Sequence, residues 1–328
     1  PGTMESRKLQ LTGGSTITVS LPKKWVDEAG LERGAEVVLV PQPNGTLLVD
    51  PRAGSQEWGK QRRLRVRDEV DEHLFRRLIG IYLTGTTEIS VEAATRFSVR
   101  QRSTIREFSA SVIGMEIVEE EASRILLNDV TSPGALPFDR TVKRLYRIVR
   151  AMYDDAVQML HGSGMEAAEV SDRDREADKL YWFIERQFNM TMENVQLAEK
   201  VAGGLPHGQF FSHVARVLER IGDHACRLAE AAETLPQPDA RLLKLADQAG
   251  AILEEAMVSF SGLKASRAVE IIDRGKAYRD RCQRYLQQRA AKAPDEALPL
   301  FMALESLIRT ALYSTDIAEA TINFASQD

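Results

Sequence analysis

From residue 138 onward the apolar positions recur at three- and four-residue steps, which is the spacing of a helix with one buried face. Phe138, Val142, Leu145, Val149, Met152 and Val157 line a first long helix that stops near Gly162. A second helix is predicted from about Glu166 to Val201, broken by G-G-L-P at 203–206. The third carries Val214, Val217, Leu218, Ile221, Ala225 and Leu228 on one face and ends before Pro236. The pattern then returns over 240–263 and 265–291. A last helix starts at A-P-D-E (293–296), with its proline and acids in the first turn, and runs to about Phe324. Aligning R-V-L-E-R-I-G-D-H-A with R-T-A-L-Y-S-T-D-I-A pairs Arg216 with Arg309, Asp223 with Asp316 and Ala225 with Ala318. Six helices thus arise from duplication of a three-helix unit.

Ahead of them the period changes. Residues 4–52 alternate, with strands at L-Q-L, S-T-I-T-V-S-L-P, A-E-V-V-L-V and T-L-L-V-D around the short helix K-K-W-V-D-E-A-G. P-N-G at 43–45 reads as the turn between the last two strands. So short a stretch buries too little apolar area to stand alone, so pairing with a second copy is expected. A linker covers 53–61. Between 62 and 130, strands at R-L-R-V-R, T-E-I-S-V, M-E-I-V-E and R-I-L-L-N-D-V alternate with two helices, a small α/β domain. T-S-P-G at 131–134 marks a boundary. The expected organisation is a multidomain chain: a β domain over 4–53, an α/β domain over 62–131, and an all-α domain over 135–328 with repeats at 135–235 and 240–326. Pro1-Gly2-Thr3 before Met4 reads as a cloning remnant.

Composition narrows the class without naming it. Apolar content of 43% and charged content of 28% over 328 residues are those of a globular chain. A net charge of −5 argues against a protein built to coat nucleic acid. No apolar run approaches a membrane span and the N-terminus lacks a signal core, so a cytoplasmic location without membrane insertion is expected. Cys226 and Cys282 read as core thiols.

Candidate chemistry lies on the second and third helices. Asp174 and Asp178, and again Glu219 and Asp223, are four apart, so each pair leaves one side of its helix. Like charges at that spacing repel by a few tenths of a kcal/mol, an objection a cation would remove. Spacing alone is weak, since 48 acids give about seven such pairs by chance. The words around them, D-x-x-x-D-x-L and E-R-I-G-D-H-A followed by A-E, resemble the PhoU family of phosphate-transport regulators. That resemblance implies tandem three-helix bundles, with Asp174, Asp178, Glu219 and Asp223 as ligands of a metal ion, iron or zinc. Carboxylate oxygens by themselves equally suit magnesium, calcium or manganese. In the second repeat Lys276 and Leu312 replace two acids, leaving Asp280 and Asp316 as a weaker second site. The bland reading leaves the four acids solvated or pairs them with Arg175, Lys179 and Arg220. His224 adjoins Asp223 but points about 100° round the helix.

The N-terminal pattern G-S-T-I-T-V-S-L-P-K-K-W through G-L-E-R-G-A-E-V resembles the SpoVT/AbrB family. That resemblance implies a swapped-hairpin β-barrel that joins two chains, with Arg7, Lys8, Lys23 and Lys24 as candidate DNA contacts. Six basic residues against six acidic ones make the segment neutral, whereas DNA modules are strongly basic. The middle segment, with Y-L-x-G and I-G-x-E, is similar to an insert in archaeal proteins that join these two families. Arg96, Arg100, Arg102 and Arg106 are either a basic face for phosphate or partners of Glu107, Glu116 and Glu119–Glu121.

No nucleophile–base set, phosphate-cradling loop or Glu-x-x-His di-metal motif occurs, so no enzymatic activity is expected. Two functions are carried forward. The first is a dimeric phosphate-transport regulator whose resemblance implies a transporter ATPase or sensor kinase as partner. The alternative is a DNA-binding transcriptional regulator whose helical part senses metal or phosphate.

Overall fold

In the computed structural model, residues 5–41, 45–51, 60–67, 71–131, 136–235, 238–291 and 297–326 are described. Pro1–Thr3, Pro43 and Asn44 of the predicted turn, most of the 53–61 linker, the P-G boundary, Pro236 and A-P-D-E lie outside them. The chain divides into two compact units, residues 1–58 and 59–328.

In the first unit β1 (Gln10–Thr12) pairs antiparallel with β2 (Thr16–Thr18) around Gly13 and Gly14, both at positive φ. Helix α1 (Lys23–Glu28) follows, then β3 (Val38–Pro41) pairs antiparallel with β4 (Leu47–Asp50). Within one chain the two hairpins form separate two-stranded sheets rather than a closed barrel. Their apolar side chains stay in water: Leu11 is 69% exposed, Ile17 65% and Leu39 55%. Among the described residues of this unit only Asp50 is buried.

The second unit opens with an α/β layer. Strand β5 (Lys60–Val66), α2 (Asp71–Leu83), β6 (Thr86–Ala93), α3 (Val99–Ser111), β7 (Met115–Glu120) and β8 (Arg124–Asp129) give a sheet of order β5-β6-β8-β7. Strands β5 and β6 run parallel and the other pairs are antiparallel. A capping box between Ser98 and Gln101 starts α3. Leu74, Leu78, Tyr82, Ile89, Ile105, Phe108 and Leu127 fill the core between helices and sheet.

Among the described residues seven helices follow: α4 (Phe138–Leu160), α5 (Ala167–Glu193), α6 (Val195–Ala202), α7 (Leu205–Thr234), α8 (Ala240–Gly262), α9 (Ala265–Ala290) and α10 (Ala297–Ala325). The sequence predicts one helix where α5 and α6 stand. Asn194 breaks it by taking extended backbone and accepting the Leu197 amide with its side chain, which caps a new helix. Helix α7 packs on α4, α5 and α10, and α10 packs on α7, α8 and α9, so the third helices of the two repeats form the centre.

Helix α5 also holds the α/β layer. Arg186, 2% exposed, pairs with buried Asp129 and lies 4.5 Å from the Tyr82 ring centroid. Asn189 donates to the Leu83 carbonyl at 2.8 Å, Lys179 to that of Ala110 at 2.8 Å, and Trp182 meets Phe75 edge-on. The arginines of α3 turn to β7: Arg102 and Arg106 both pair with Glu120, the acid-partner reading of that face.

Candidate metal centre

Helices α5 and α7 pack side by side, so their acidic pairs share one groove. Each carboxylate is partly buried. Burial first, then the Asp223 charge, pushes Asp174 up to about 6. Asp178 rises to about 7 through burial and the charges of Asp174 and Asp223. Glu219 also reaches about 7, through burial and then Asp223, Asp178 and Asp174. Asp223 is raised by burial and held back by Arg227 and Arg220. The four carboxylates therefore act on one another as like charges.

Two cations of the bland reading are engaged elsewhere, Arg175 with Asp172 and Lys179 with the Ala110 carbonyl. Arg220, 5.8 Å from the Tyr313 ring centroid, still acts by its charge on Glu219 and Asp223. Two turns further along, by contrast, buried Glu185 accepts from Ser212 and from Arg216, the latter at 2.9 Å. One end of the groove is neutralised internally and the other is not.

Gly222 explains part of the crowding. A Cβ there would sit 3.3 Å from Asp174 Oδ1 and 3.6 Å from both Met152 and Val149, so its absence admits the carboxylate against α7. That Oδ1 is buried without a hydrogen-bond partner, a condition that costs about 1–3 kcal/mol. An all-carboxylate donor set with an orphaned oxygen fits a hard cation in its chemistry. In position it stops short: among the described residues no three His, Cys, Asp or Glu side chains are placed to hold an ion.

Cys226, read as a core thiol, borders the cluster instead. Burial and the Asp174 charge push it up to about 12, and Ser171 gives it a hydrogen bond. Its place three residues after Asp223, on the same helix face, is the signal that sequence offers. His224 faces α10, its Nδ1 3.5 Å from Ser306 Oγ, and burial lowers it to about 4.

The second repeat does not assemble a matching cluster. Asp280 is exposed and pairs with Arg279 at 3.3 Å. Asp316 lies in a cavity of about 390 Å³ between α7 and α10, and the charges acting on it are Glu319, His213 and Arg220 rather than Asp280. In the N-terminal unit Arg7 pairs with Glu5 and Lys24 lies 3.8 Å from Glu28, while Lys8 and Lys23 are exposed.

Residues 142–232 match the PhoU domain family, and residues 10–57 match the family described as antidote-toxin recognition MazE, bacterial antitoxin. PhoU from Pseudomonas aeruginosa superposes with a TM-score of 0.52 at 22% identity, over 58% of this chain and 96% of that one. The phosphate transport system regulatory protein PhoU from Streptococcus pneumoniae gives 0.40 at 15% identity, over 58% and 98%. No curated protein matches the chain. Tandem helical repeats, an α/β layer and an N-terminal pair of hairpins define a PhoU-like fold with an AbrB-like leader. The match to the PhoU domain spans α4–α7, the repeat that holds the acidic residues. Among the described residues no helix is long and apolar enough to cross a membrane.

Proposed function

We propose that this chain is a PhoU-like regulator of phosphate transport or phosphate signalling that holds a metal ion between α5 and α7 and acts through protein partners. The observation that carries the reading is the four-carboxylate cluster inside the stretch that matches the PhoU domain, with no ion pair to any of its members among the described residues and a buried oxygen unpartnered. Asp174, Asp178, Glu219 and Asp223 would hold the ion, converging from positions in which no three of them yet do so. Iron or zinc follows from the family resemblance; magnesium, calcium or manganese suits the donors equally. With a cation held there, the groove would offer positive charge to an anionic oxygen of a partner, phosphate or carboxylate. A transporter ATPase or a sensor kinase is the proposed partner. Elemental analysis of purified protein tests the site: wild type carries metal and the Asp178→Ala/Asp223→Ala variant does not. Equal content in both removes the assignment.

The N-terminal unit serves in this reading as the join between two copies. Exposed Leu11, Ile17 and Leu39 on hairpins with almost no buried residue support it, because apolar area left in water at about 25 cal/mol per Å² favours a second copy over solvent. Leu11→Asp/Ile17→Asp should yield a monomer by light scattering, and an unchanged dimer sinks the join. The DNA-binding alternative has less support, since two of its four basic residues already face acids. Lys23→Glu/Lys24→Glu should abolish a salt-dependent gel shift if DNA is the partner; no shift from wild type at low salt ends that alternative.

A further inference from the structure

The second repeat carries a cationic groove where α8 and α9 pack. Helix α8 reads R-x-x-K-L-x-x-Q from Arg241 to Gln248, and α9 reads R-x-x-R-Y-x-x-Q from Arg281 to Gln288. This spacing puts two cations and a glutamine of each helix on one face. The two stripes lie opposite each other and run in opposite directions, so each leading arginine meets the other's trailing glutamine. Arg241 donates to Gln288 Oε1 at 3.2 Å, and Arg281 donates to Gln248 Oε1 at 3.3 Å. The result is a local two-fold arrangement around a cavity of about 360 Å³ lined by both stripes.

The arginines are positioned without being neutralised. Arg241 lies 5.1 Å from the Tyr285 ring centroid and Arg281 5.7 Å from that of Tyr278. Both rings are pinned: the Tyr278 hydroxyl donates to the Leu245 carbonyl and the Tyr285 hydroxyl to Asp239, each at 2.9 Å. Of the nearby acids, Asp239 is occupied in capping α8 and in accepting Tyr285, with Arg289 as a charge beside it, and Asp280 pairs with Arg279. Among the described residues Arg241, Lys244, Arg281 and Arg284 form no ion pair with a carboxylate.

We propose that this groove binds an oligophosphate anion whose two phosphoryl ends lie toward its two arginine–glutamine pairs. Four cations in so small a space call for a ligand of several negative charges, and guanidinium forks match phosphoryl oxygens in pairs. Two arginine–glutamine pairs, one from each helix's leading arginine, suit an anion with two phosphoryl ends, as in a diphosphate, over a single tetrahedral phosphate. The cavity is of small-ligand size. Such a site is separate from the acidic groove of the first repeat and needs no metal there.

Titration calorimetry on the full chain in chelator tests this with pyrophosphate, ADP, ATP and orthophosphate as probes. Pyrophosphate should bind saturably at one per chain. Arg241→Gln/Arg281→Gln should weaken it roughly tenfold or more, the worth of one charge-assisted hydrogen bond or above. Arg267→Gln, an exposed cation elsewhere on α9, should leave it unchanged, and so should Asp178→Ala/Asp223→Ala. Tighter binding of ADP or ATP than of pyrophosphate keeps the site and identifies a nucleotide as the source of the phosphates. Orthophosphate matching pyrophosphate overturns the two-ended site. So does equal weakening by Arg267→Gln, loss in the acid variant, or no saturation by about 1 mM.

Discussion

The two helical repeats share a scaffold and oppose each other in charge. In the first, a glycine on the third helix, Gly222, lets a carboxylate of the middle helix press against it. In the second, the glycine has moved to the middle helix: a Cβ on Gly275 would lie 2.3 Å from Thr315 Cγ2 on α10. Both crossings are tight, one filled by Asp174 and the other by a threonine methyl. Packing therefore fixes how near the helices come and leaves the chemistry in the contact free to change. The charged grooves lie at different helix pairs: four acids between the middle and third helices, α5 and α7, and four cations between the first and middle helices, α8 and α9.

A further difference is that α5 carries an outer α/β layer. Removing its anchor should have the largest effect: Arg186→Ala takes the counter-charge from the covered Asp129 side chain, leaving it the hydrogen bonds from Thr131, at a cost of up to about 3–5 kcal/mol. Urea denaturation measures it, and a loss below about 1 kcal/mol would mean the layer is held by apolar contact alone. Next come the two crossings. Gly275→Ala must displace the stiff, β-branched Thr315, so overpacking of about 1–3 kcal/mol outweighs the helix-propensity gain of about 1 kcal/mol, leaving net destabilisation. Gly222→Ala meets contacts of 3.3 to 3.6 Å, one of them to a flexible methionine, so the propensity gain should bring its net effect near zero. Equal losses in the two variants would erase the distinction drawn between the crossings.

A separate contrast lies in pH dependence. Asp174, Asp178 and Glu219 have folded values near 6 to 7, against about 4 unfolded. The folded state holds their protons more tightly, so their stabilising contribution is complete below about pH 4 and is lost as pH rises through 7. In chelator, Asp178→Asn/Glu219→Gln should flatten this decline relative to wild type in chemical denaturation across that window. A wild-type curve that climbs relative to the variant would mean the acids are charge-paired after all.

Much of this arrangement is legible in the chain. The apolar stripe from Phe138 to Val157 is the buried face of α4, and alternation marks the strands of the α/β layer. Asn194 was hidden because the apolar period continues across it, and a cap shows only when the backbone turns extended. Cys226 sits one helical turn past Asp223, which no family motif marks, and its bordering of the cluster depends on α5 arriving beside it.

Periodicity and turn chemistry by themselves determined the element types, the duplication and the two acidic pairs, because each is a local property of neighbouring residues. The sheet order, the Arg186–Asp129 anchor and the pairing of two arginine stripes across antiparallel helices were decided only by tertiary structure. Those contacts join residues far apart in the chain, and nothing in either local segment encodes which distant partner it will meet.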